Sequence, residues 1–453
     1  MLKDIFFFYF LFALFIGCGK DKNPDTNNNT ETKFYGDPFQ KIPQPEEIIM
    51  YEANERVFAA KNSFNAITAR LDEIKSLGVN VLWLMPVTEQ GKEKAIGSPY
   101  CVKNYLKTEP EYGTLDDLRN LIKEAHNRDM AVIIDWVANH TSWDNNWLSN
   151  NPSWYTKDAN GNVGPPAGTG WNDVVDLDYS NQNMRAAMID AMQYWVKEAN
   201  VDGFRCDAAD LVPDDFWKEA IQKLRNMQEG RKLILLAEGT NPKNLQAGSD
   251  LDYAWDFYSV MGNVYNAKSI ISDLYSSNQK EFNLIPSGKQ KLRFSTNHDF
   301  AAENSPVTVY KNQQGALSAF VIAATMGGVP LIYSSQEVGY PDKLSFFSYR
   351  NVDWNANPEI YGAYQKLMAI RSASAALQKG VIQTYNDKDI VNFSRSYASQ
   401  NVYVAVNVRN ETKVLNLPAE WAGAACKNLL DNSTVTLPGT LEMQAYQYLI
   451  FSK

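Results

Sequence analysis

The stretch VDGFRCDAAD, residues 201–210, decides the fold, because it is a short apolar run that closes on the charged residues Arg205 and Asp207. Two later runs end in the same way, KLILLAE at Glu238 and LRFSTNHD at Asp299. A strand with its following helix takes roughly 30 residues. The chain therefore completes one such unit between Asp207 and Glu238 and two between Glu238 and Asp299. This rhythm predicts parallel strands that bring three carboxylates to the same end of a barrel.

Eight apolar, β-branched runs alternate with amphipathic segments along most of the chain. Strands that alternate with helices predict an α/β protein with a parallel sheet, and eight of them predict a closed (β/α)8 TIM barrel. The predicted strands cover residues 48–51, 79–86, 131–137, 201–207, 233–238, 253–258, 291–297 and 330–334, and the predicted helices cover 64–77, 115–128, 184–199, 214–227, 314–326 and 359–371.

The interval between the third and fourth predicted strands is too long for one strand and one helix. Its excess is rich in Trp, Asn, Gly and Pro, so we expect a small inserted domain over residues 141–178, standing above the catalytic end of the barrel. The barrel itself is predicted to occupy residues 47–140 and 179–377, and the loop at about 91–112 is expected to reach the same face. Short alternating segments then predict a C-terminal antiparallel β-sandwich over residues 378–453.

Residues 1–18 are predicted to be a lipoprotein signal peptide. Their apolar run is too short to span a bilayer as a helix, which takes about 20 residues, and it suits a signal-peptide core. Cys18 resembles the lipidated cysteine of bacterial lipoproteins, with an ordinary secretory signal as the alternative. Residues 19–46 are polar and rich in Asn, Asp and Lys, which predicts a flexible tether. We therefore expect a lipid anchor in the bacterial outer membrane, at its periplasmic face or at the cell surface.

The formal net charge of −9 argues against a nucleic-acid partner, which would select a basic face. Aromatic residues make up 12% of the chain, which fits either a large core or a sugar-binding cleft. The cysteines after Cys18 are scattered and show neither a disulfide framework nor the spacing of metal ligands.

The acids at the strand ends have basic neighbours. Arg205 lies two residues before Asp207, so alternation along a strand points both side chains to the same face. A guanidinium in that position keeps a carboxylate ionised, as a nucleophile requires. Two of the three histidines, His140 and His298, also lie at strand ends. Converging carboxylates of this kind are the equipment of glycoside hydrolysis.

Four segments of the chain resemble those of a known family. DWVANH, GFRCDAAD, LLAEG and FSTNHD resemble, in order and spacing, the four signature segments of the α-amylase family, glycoside hydrolase family 13. VVDLD and SPYCVKNYLKTEPEYGT resemble two further segments of that family. The resemblance covers about residues 48–450, and the chain looks like the lipoprotein amylases of the Bacteroidetes.

The resemblance implies a retaining mechanism. Asp207 is then the nucleophile, Glu238 the general acid and base, and Asp299 the residue that stabilises the transition state. Tyr100 is implied to stack under the sugar, while a purely structural role is the alternative for Asp135. The residues implied to bind or support the substrate are Tyr100, Asp135, His140, Arg205 and His298.

Family members often bind calcium between the barrel and the inserted domain. Asn139 and Asp176 match positions that supply ligands, and oxygen donors suit this hard cation. The chain departs from the family where a Lys-His pair often follows the nucleophile, since Asp210 and Leu211 stand there. This departure does not change the catalytic residues. It does leave the contacts to the leaving-group sugars, and so the exact substrate, without a prediction.

The expected function is endo-hydrolysis of α-1,4-glucosidic bonds in starch-type glucans and maltooligosaccharides. The expected partners are the α-glucan substrate, the membrane through the lipid anchor and other starch-uptake proteins, with calcium as a structural cofactor. Three alternatives stay open: a neopullulanase or cyclomaltodextrinase, an α-glucosidase acting on short oligosaccharides, and a non-catalytic starch-binding lipoprotein.

Overall fold

Eight strands that are almost entirely buried on both faces form the centre of the molecule, which is the burial that continuous apolar runs favour. In the computed structural model, which describes residues 34–453, these strands are parallel and close into a barrel, with the first strand paired to the last. They are β1 (Met50–Ala53), β2 (Val81–Leu84), β3 (Ala131–Val137), β4 (Gly203–Asp207), β5 (Ile234–Ala237), β6 (Leu251–Tyr253), β7 (Gln290–Arg293) and β8 (Val329–Tyr333). The predicted (β/α)8 barrel is confirmed.

Alternation along these strands separates two cores. Residues of one parity fill the barrel interior, and those of the other parity face the surrounding helices. Arg205 and Asp207 share the inward parity, whereas Cys206 between them packs in the outer core. The interior includes Met50, Trp83, Ile133, Leu236 and Leu331.

Helices cover the outside of the barrel. The helix after β2 shows why they form where they do: Thr114 and Asp117 make a capping box at its start, and its apolar side chains repeat at helical spacing. The α-helices are Glu55–Phe58, Ser63–Ala69, Leu71–Ser76, Leu115–His126, Asn146–Asn150, Gln182–Ala199, Asp214–Arg225, Pro242–Ala247, Trp255–Tyr265, Ile271–Asn283, His298–Glu303, Pro306–Val309, Gln313–Thr325, Pro358–Ser372 and Ala375–Lys379. Short 3-10 turns lie at Pro45–Glu47, Pro152–Trp154, Ala209–Leu211 and Gln336–Val338.

The sixth predicted strand, 253–258, is wrong over most of its length. The strand ends at Tyr253, and a helix begins at Trp255. Aromatic residues favour strands by propensity, but Phe257, Met261 and Val264 recur at helical spacing and are buried. The helical spacing of buried apolar residues, which continues beyond residue 258, therefore favours a helix over a strand.

The interval between β3 and β4 holds the inserted segment as predicted. Its two ends pair as an antiparallel ribbon, His140–Ser142 with Val174–Asp176, which fixes the excursion above the barrel. A second ribbon, Thr88–Gln90 with Val102–Thr108, rises from the loop after β2. Both ribbons stand at the carboxyl ends of the barrel strands.

The C-terminal region is an antiparallel β-sandwich, in which a six-stranded sheet packs on a two-stranded ribbon. Its core contains Tyr403, Leu415 and Trp421. The sequence pattern predicts fewer strands than the region has, because several of these strands are short and half-exposed. The strands are Val381–Tyr385, Ile390–Tyr397, Gln400–Asn407, Lys413–Asn416, Ala425–Asn428, Thr434–Thr436, Thr440–Met443 and Tyr448–Ser452.

The predicted tether of residues 19–46 is wrong at its C-terminal part. Tyr35 donates its backbone N–H to Lys197 O at 2.8 Å, and the Phe39 ring stacks on His126 with centroids 4.5 Å apart. Phe34 and Phe39 are partly buried against the two cores of the barrel and fix the backbone, although the segment as a whole is polar. The rest of the tether, the signal peptide and Cys18 lie outside the described residues.

Between residues 34 and 453, no helix combines the length and the apolar character that crossing a bilayer requires.

Candidate active site

Strand register brings the predicted acids together. Val137 on β3 pairs with Asp207 on β4, and Cys206 pairs with Ala237, which precedes Glu238. Asp299 enters from the first turn of the helix that begins at His298, after β7. The three carboxylates line one cleft of about 200 Å³ at the carboxyl ends of the strands.

Arg205 joins the acids into one network. Its guanidinium is fully buried and donates from Nη1 to Asp135 at 2.9 Å and to Asp207 at 2.7 Å. Its Nη2 lies 2.5 Å from Glu238 Oε1, and its Nε donates to the Tyr253 hydroxyl at 3.1 Å. One cation therefore serves three carboxylates, so it compensates only part of their charge.

Burial sets the protonation of the two central acids. It raises the pKa of Asp207 to about 6, against the opposing effect of Arg205. Burial raises the pKa of Glu238 further, to about 8, because Asp207 and Asp299 add to the effect while Arg205 opposes it. At neutral pH, Glu238 is the group that keeps its proton and Asp207 the group that loses it.

The backbone beside the nucleophile also holds Glu238. Ala208 has a φ of 42°, in the left-handed region that a residue with a Cβ rarely adopts. In this conformation its N–H donates to Glu238 Oε2 at 2.7 Å. The strained residue thus fixes the orientation of the neighbouring carboxyl.

His298 is held between two acceptors. Its Nδ1 lies 2.5 Å from Glu52 Oε1, and its Nε2 lies 2.9 Å from the Tyr100 hydroxyl. Tyr100 donates its only hydroxyl hydrogen to Asp135 Oδ2 at 3.1 Å, so Nε2 must be the donor toward Tyr100. Where Glu52 is ionised, Nδ1 donates to it as well, and His298 is then an imidazolium.

The electrostatics of His298 agree with this assignment. Burial lowers its pKa, but Asp299 and Glu52 raise it by more, to about 9. Asp299 Oδ1 lies 3.4 Å from His298 Nε2, and its side chain is 49% exposed, so it faces the open cleft. Asp299 therefore offers an exposed carboxylate to a bound ligand, next to the buried positive charge of His298.

Two of the residues predicted to bind substrate lie beneath the cleft. The side chains of Asp135 and Arg205 are fully buried. Asp135 accepts hydrogen bonds from Trp83 Nε1 at 3.2 Å and from Tyr100, in addition to Arg205. Both residues therefore act by holding other side chains of the site. The prediction that they contact the substrate is corrected. Tyr100, His140 and His298 do line the cleft.

The inserted segment supplies one wall of the cleft. Trp171 is 39% exposed, and its ring meets that of His140 edge-on with centroids 5.4 Å apart. Burial lowers the pKa of His140 to about 4, so this histidine is neutral. The opposite wall includes Phe346 and Phe347 after β8. Aromatic walls around carboxylates fit a sugar ring, which has apolar faces and a polar rim.

The predicted calcium ligands lie on the ribbon at the base of the inserted segment. Asn139 O accepts the N–H of Leu177, and Asp176 lies opposite His140. Calcium takes about 6–8 oxygen ligands, whereas no group of three or more His, Cys, Asp or Glu side chains within residues 34–453 is arranged to hold a metal. These two side chains alone do not build a calcium site, so calcium binding stays a prediction.

Sequence reasoning missed Glu52, which is buried on β1 and holds His298. The sequence does contain a signal for Glu52, which is the acid of MYEA at the end of the first apolar run. Asp207, Glu238 and Asp299 end their runs in the same way. Reasoning also missed the Ala208 N–H and Trp171. A backbone conformation leaves no mark in the sequence, and Trp171 belongs to an irregular loop.

Replacing Glu52 by Gln should lower the pKa of His298. The carboxylate that favours the imidazolium is lost, and the new amide can donate to a neutral ring instead. Arg205, Asp299 and Tyr100 also face this ring and are unchanged. An NMR titration of the histidine resonances measures the shift, with His298→Asn as the assignment standard, since the chain has only three histidines.

Glu337→Gln is the matched control for this titration. Glu337 is also a buried glutamate, but its Oε1 accepts from Tyr51 and it has no contact with His298. An unchanged His298 titration in Glu52→Gln, or an equal shift in both variants, would contradict the assignment.

The chain is similar to known proteins in sequence and in fold. The family model described as the catalytic domain of α-amylase matches residues 29–161 and 169–357, a range that holds all three carboxylates. The α-amylase 3 of Dictyoglomus thermophilum is 26% identical, over 85% of this chain and 88% of its own. A cyclomaltodextrinase of Thermoanaerobacter pseudethanolicus is 25% identical, over 78% of this chain and 64% of its own. The crystal structure of a maltogenic α-amylase from Thermotoga neapolitana matches with a TM-score of 0.80 and 28% identity, over 91% of this chain and 99% of that one.

Proposed function

This chain belongs to the α-amylase family of glycoside hydrolases, and we propose that it cleaves internal α-1,4-glucosidic bonds of starch-type glucans and maltooligosaccharides with retention of configuration. The observation that carries the proposal is the contact of Asp207 and Glu238 with neighbouring nitrogens of one guanidinium. Sharing Arg205 keeps the two carboxyls near each other. This favours retention, because retaining enzymes hold their carboxyls about 5–5.5 Å apart, whereas inverting enzymes need about 6.5–9.5 Å to admit a water.

The mechanism follows from the protonation of the pair. Protonated Glu238 gives its proton to the glycosidic oxygen while ionised Asp207 attacks the anomeric carbon and the bond to the leaving sugar breaks. Asp299 and Asp207 stabilise the positive charge that develops on the sugar ring. Glu238, now ionised, takes a proton from water, which attacks the glycosyl–Asp207 ester and restores both carboxyls.

We expect a bell-shaped dependence of kcat/KM on pH. Activity falls below about 6 as Asp207 takes up a proton, and it falls above about 8 as Glu238 loses its own. Initial rates on a soluble maltooligosaccharide between pH 4 and 10, after a check that the enzyme survives each buffer, measure both limbs. Activity that stays flat up to pH 10 would contradict the assignment of Glu238 as the acid.

The cleavage pattern separates the proposed activity from its neighbours in the family. Because relatives are named cyclomaltodextrinase and maltogenic α-amylase, the second candidate is an enzyme of short or cyclic substrates. Product profiles on amylose, pullulan and cyclodextrin at low conversion distinguish them. Early release of mixed maltooligosaccharides from amylose supports endo-cleavage. Release of glucose alone from chain ends, or a preference for cyclodextrin, would favour the second candidate instead.

Anchoring of the enzyme by lipid on Cys18 is part of the proposal, on the evidence of the sequence before residue 34. Cys18→Ala should move the protein from the membrane fraction to the soluble fraction of the producing cell. Immunoblots of fractionated cells measure the shift, with a known lipoprotein as fractionation control. If the variant stays with the membranes, another element anchors the chain.

A further inference from the structure

Asp210 lies beside the loop that carries Glu238. It is the middle residue of the 3-10 turn Ala209–Leu211, directly after the nucleophile. Its carboxylate accepts three hydrogen bonds from residues 238–244, which we call the acid loop. The donors are Thr240 N at 3.0 Å, Asn241 N at 3.3 Å and Asn244 Nδ2 at 2.6 Å.

Other contacts join the same two segments. Ala209 N donates to Glu238 O at 3.0 Å, and Ala208 N donates to Glu238 Oε2. A Cβ on Gly239 would lie 2.1 Å from Asp210 Oδ1, so the glycine is what lets the carboxylate approach. The turn after β4 and the acid loop are therefore held together by five hydrogen bonds, three of them made by Asp210.

Asp210 is exposed, and its contacts are with the acid loop. Its side chain is directed at the acid loop, and it does not line the cleft. Many family members carry a lysine at this position, so the charge in this chain is reversed. Hydrogen bonds to an ionised carboxylate are roughly twice as strong as neutral ones, which makes Asp210 suited to hold a loop.

We propose that Asp210 is a positioning residue for the acid–base function of Glu238, which it serves by clamping the acid loop to the turn that follows the nucleophile. The proposal rests on the proposed function, since it assigns Glu238 to proton transfer. Proton transfer is sensitive to position, and a displacement of about 1 Å can cost about 100-fold in rate.

Two substrates separate proton transfer from general damage. A maltooligosaccharide needs a proton on its leaving oxygen, whereas α-maltosyl fluoride releases fluoride without one. With azide present, the glycosyl–enzyme is also captured by a nucleophile that needs no base. Asp210→Ala should therefore lower kcat on the maltooligosaccharide by about 10- to 100-fold with KM little changed, and it should leave turnover of the fluoride in azide close to that of the wild type.

Asp214→Ala is the matched control. Asp214 is exposed on the following helix and lies 3.7 Å from Lys243 of the acid loop, so it makes a weak contact with the same segment. It should leave both rates unchanged. Asp210→Asn keeps one acceptor oxygen and should give an intermediate loss, and it carries the test if circular dichroism shows that Asp210→Ala is unfolded.

Equal losses on both substrates, or no loss on either, would overturn the role of Asp210. A wild-type enzyme that turns over neither substrate would instead contradict the proposed function and this inference with it. The comparison of wild type and variant therefore distinguishes the two failures.

Discussion

Asp207→Asn should lower kcat on maltooligosaccharides by roughly 10⁴- to 10⁶-fold, the range seen when a nucleophile that acts as part of a unit is removed. The amide cannot form the glycosyl ester. Because Arg205 still has Asp135 and Glu238 as partners, the barrel should keep its fold. Steady-state rates on purified protein, with circular dichroism spectra and melting curves, measure both outcomes.

Asp173→Asn is the control for this variant. Asp173 also lines the cleft, on the inserted segment, but it has no contact with Arg205. The kcat of Asp173→Asn should stay within a few-fold of that of the wild type. If Asp207→Asn kept more than about a tenth of the wild-type activity, Asp207 would not be the nucleophile.

Glu238→Gln should lower kcat on the same substrates by about 10²- to 10⁴-fold, the usual worth of a general acid–base group. The amide oxygen can still accept the N–H of Ala208, but the amide loses the ion pair with Arg205 and cannot give a proton to the leaving oxygen. The loss should be much smaller for α-maltosyl fluoride in azide, which needs neither acid nor base. The alkaline limb of the pH profile should also disappear, since the group that titrates near 8 is gone.

A uniform loss on every substrate would show that Glu238 supports the structure instead of transferring protons. Glu303→Gln, a change in the exposed last turn of the helix after β7, is the control and should leave both the rate and the pH profile unchanged.

The parts of the fold that the sequence predicts are those in which burial follows a simple period. Strand Ala131–Val137 has its predicted bounds, since all of its residues are buried. The segment 253–258 was misassigned because its aromatic residues suit both a strand and the first turn of a buried helix. The packing of residues 34–46 on the barrel depends on partners far along the chain, such as Lys197 and His126, so local composition does not reveal it.

The same distinction applies to the site. The acids at the ends of β4 and β5 follow from strand rhythm, and Arg205 follows from alternation. Its contact with three carboxylates, and the hold of Glu52 on His298, come from strands distant in sequence that barrel closure makes neighbours. Asp210 appeared in the sequence only as a departure from a family pattern, and its role required the distances to the acid loop.

Asp207 should form a covalent intermediate that Glu238 resolves, and the most direct measurement is to trap this intermediate. In Glu238→Gln, α-maltosyl fluoride can form the glycosyl–enzyme without an acid, but water cannot be activated to release it. Mass spectrometry of the intact protein and of its peptides should then show one added maltosyl group on the peptide that contains Asp207. No adduct, or an adduct on Asp135 or Asp299, would contradict the account.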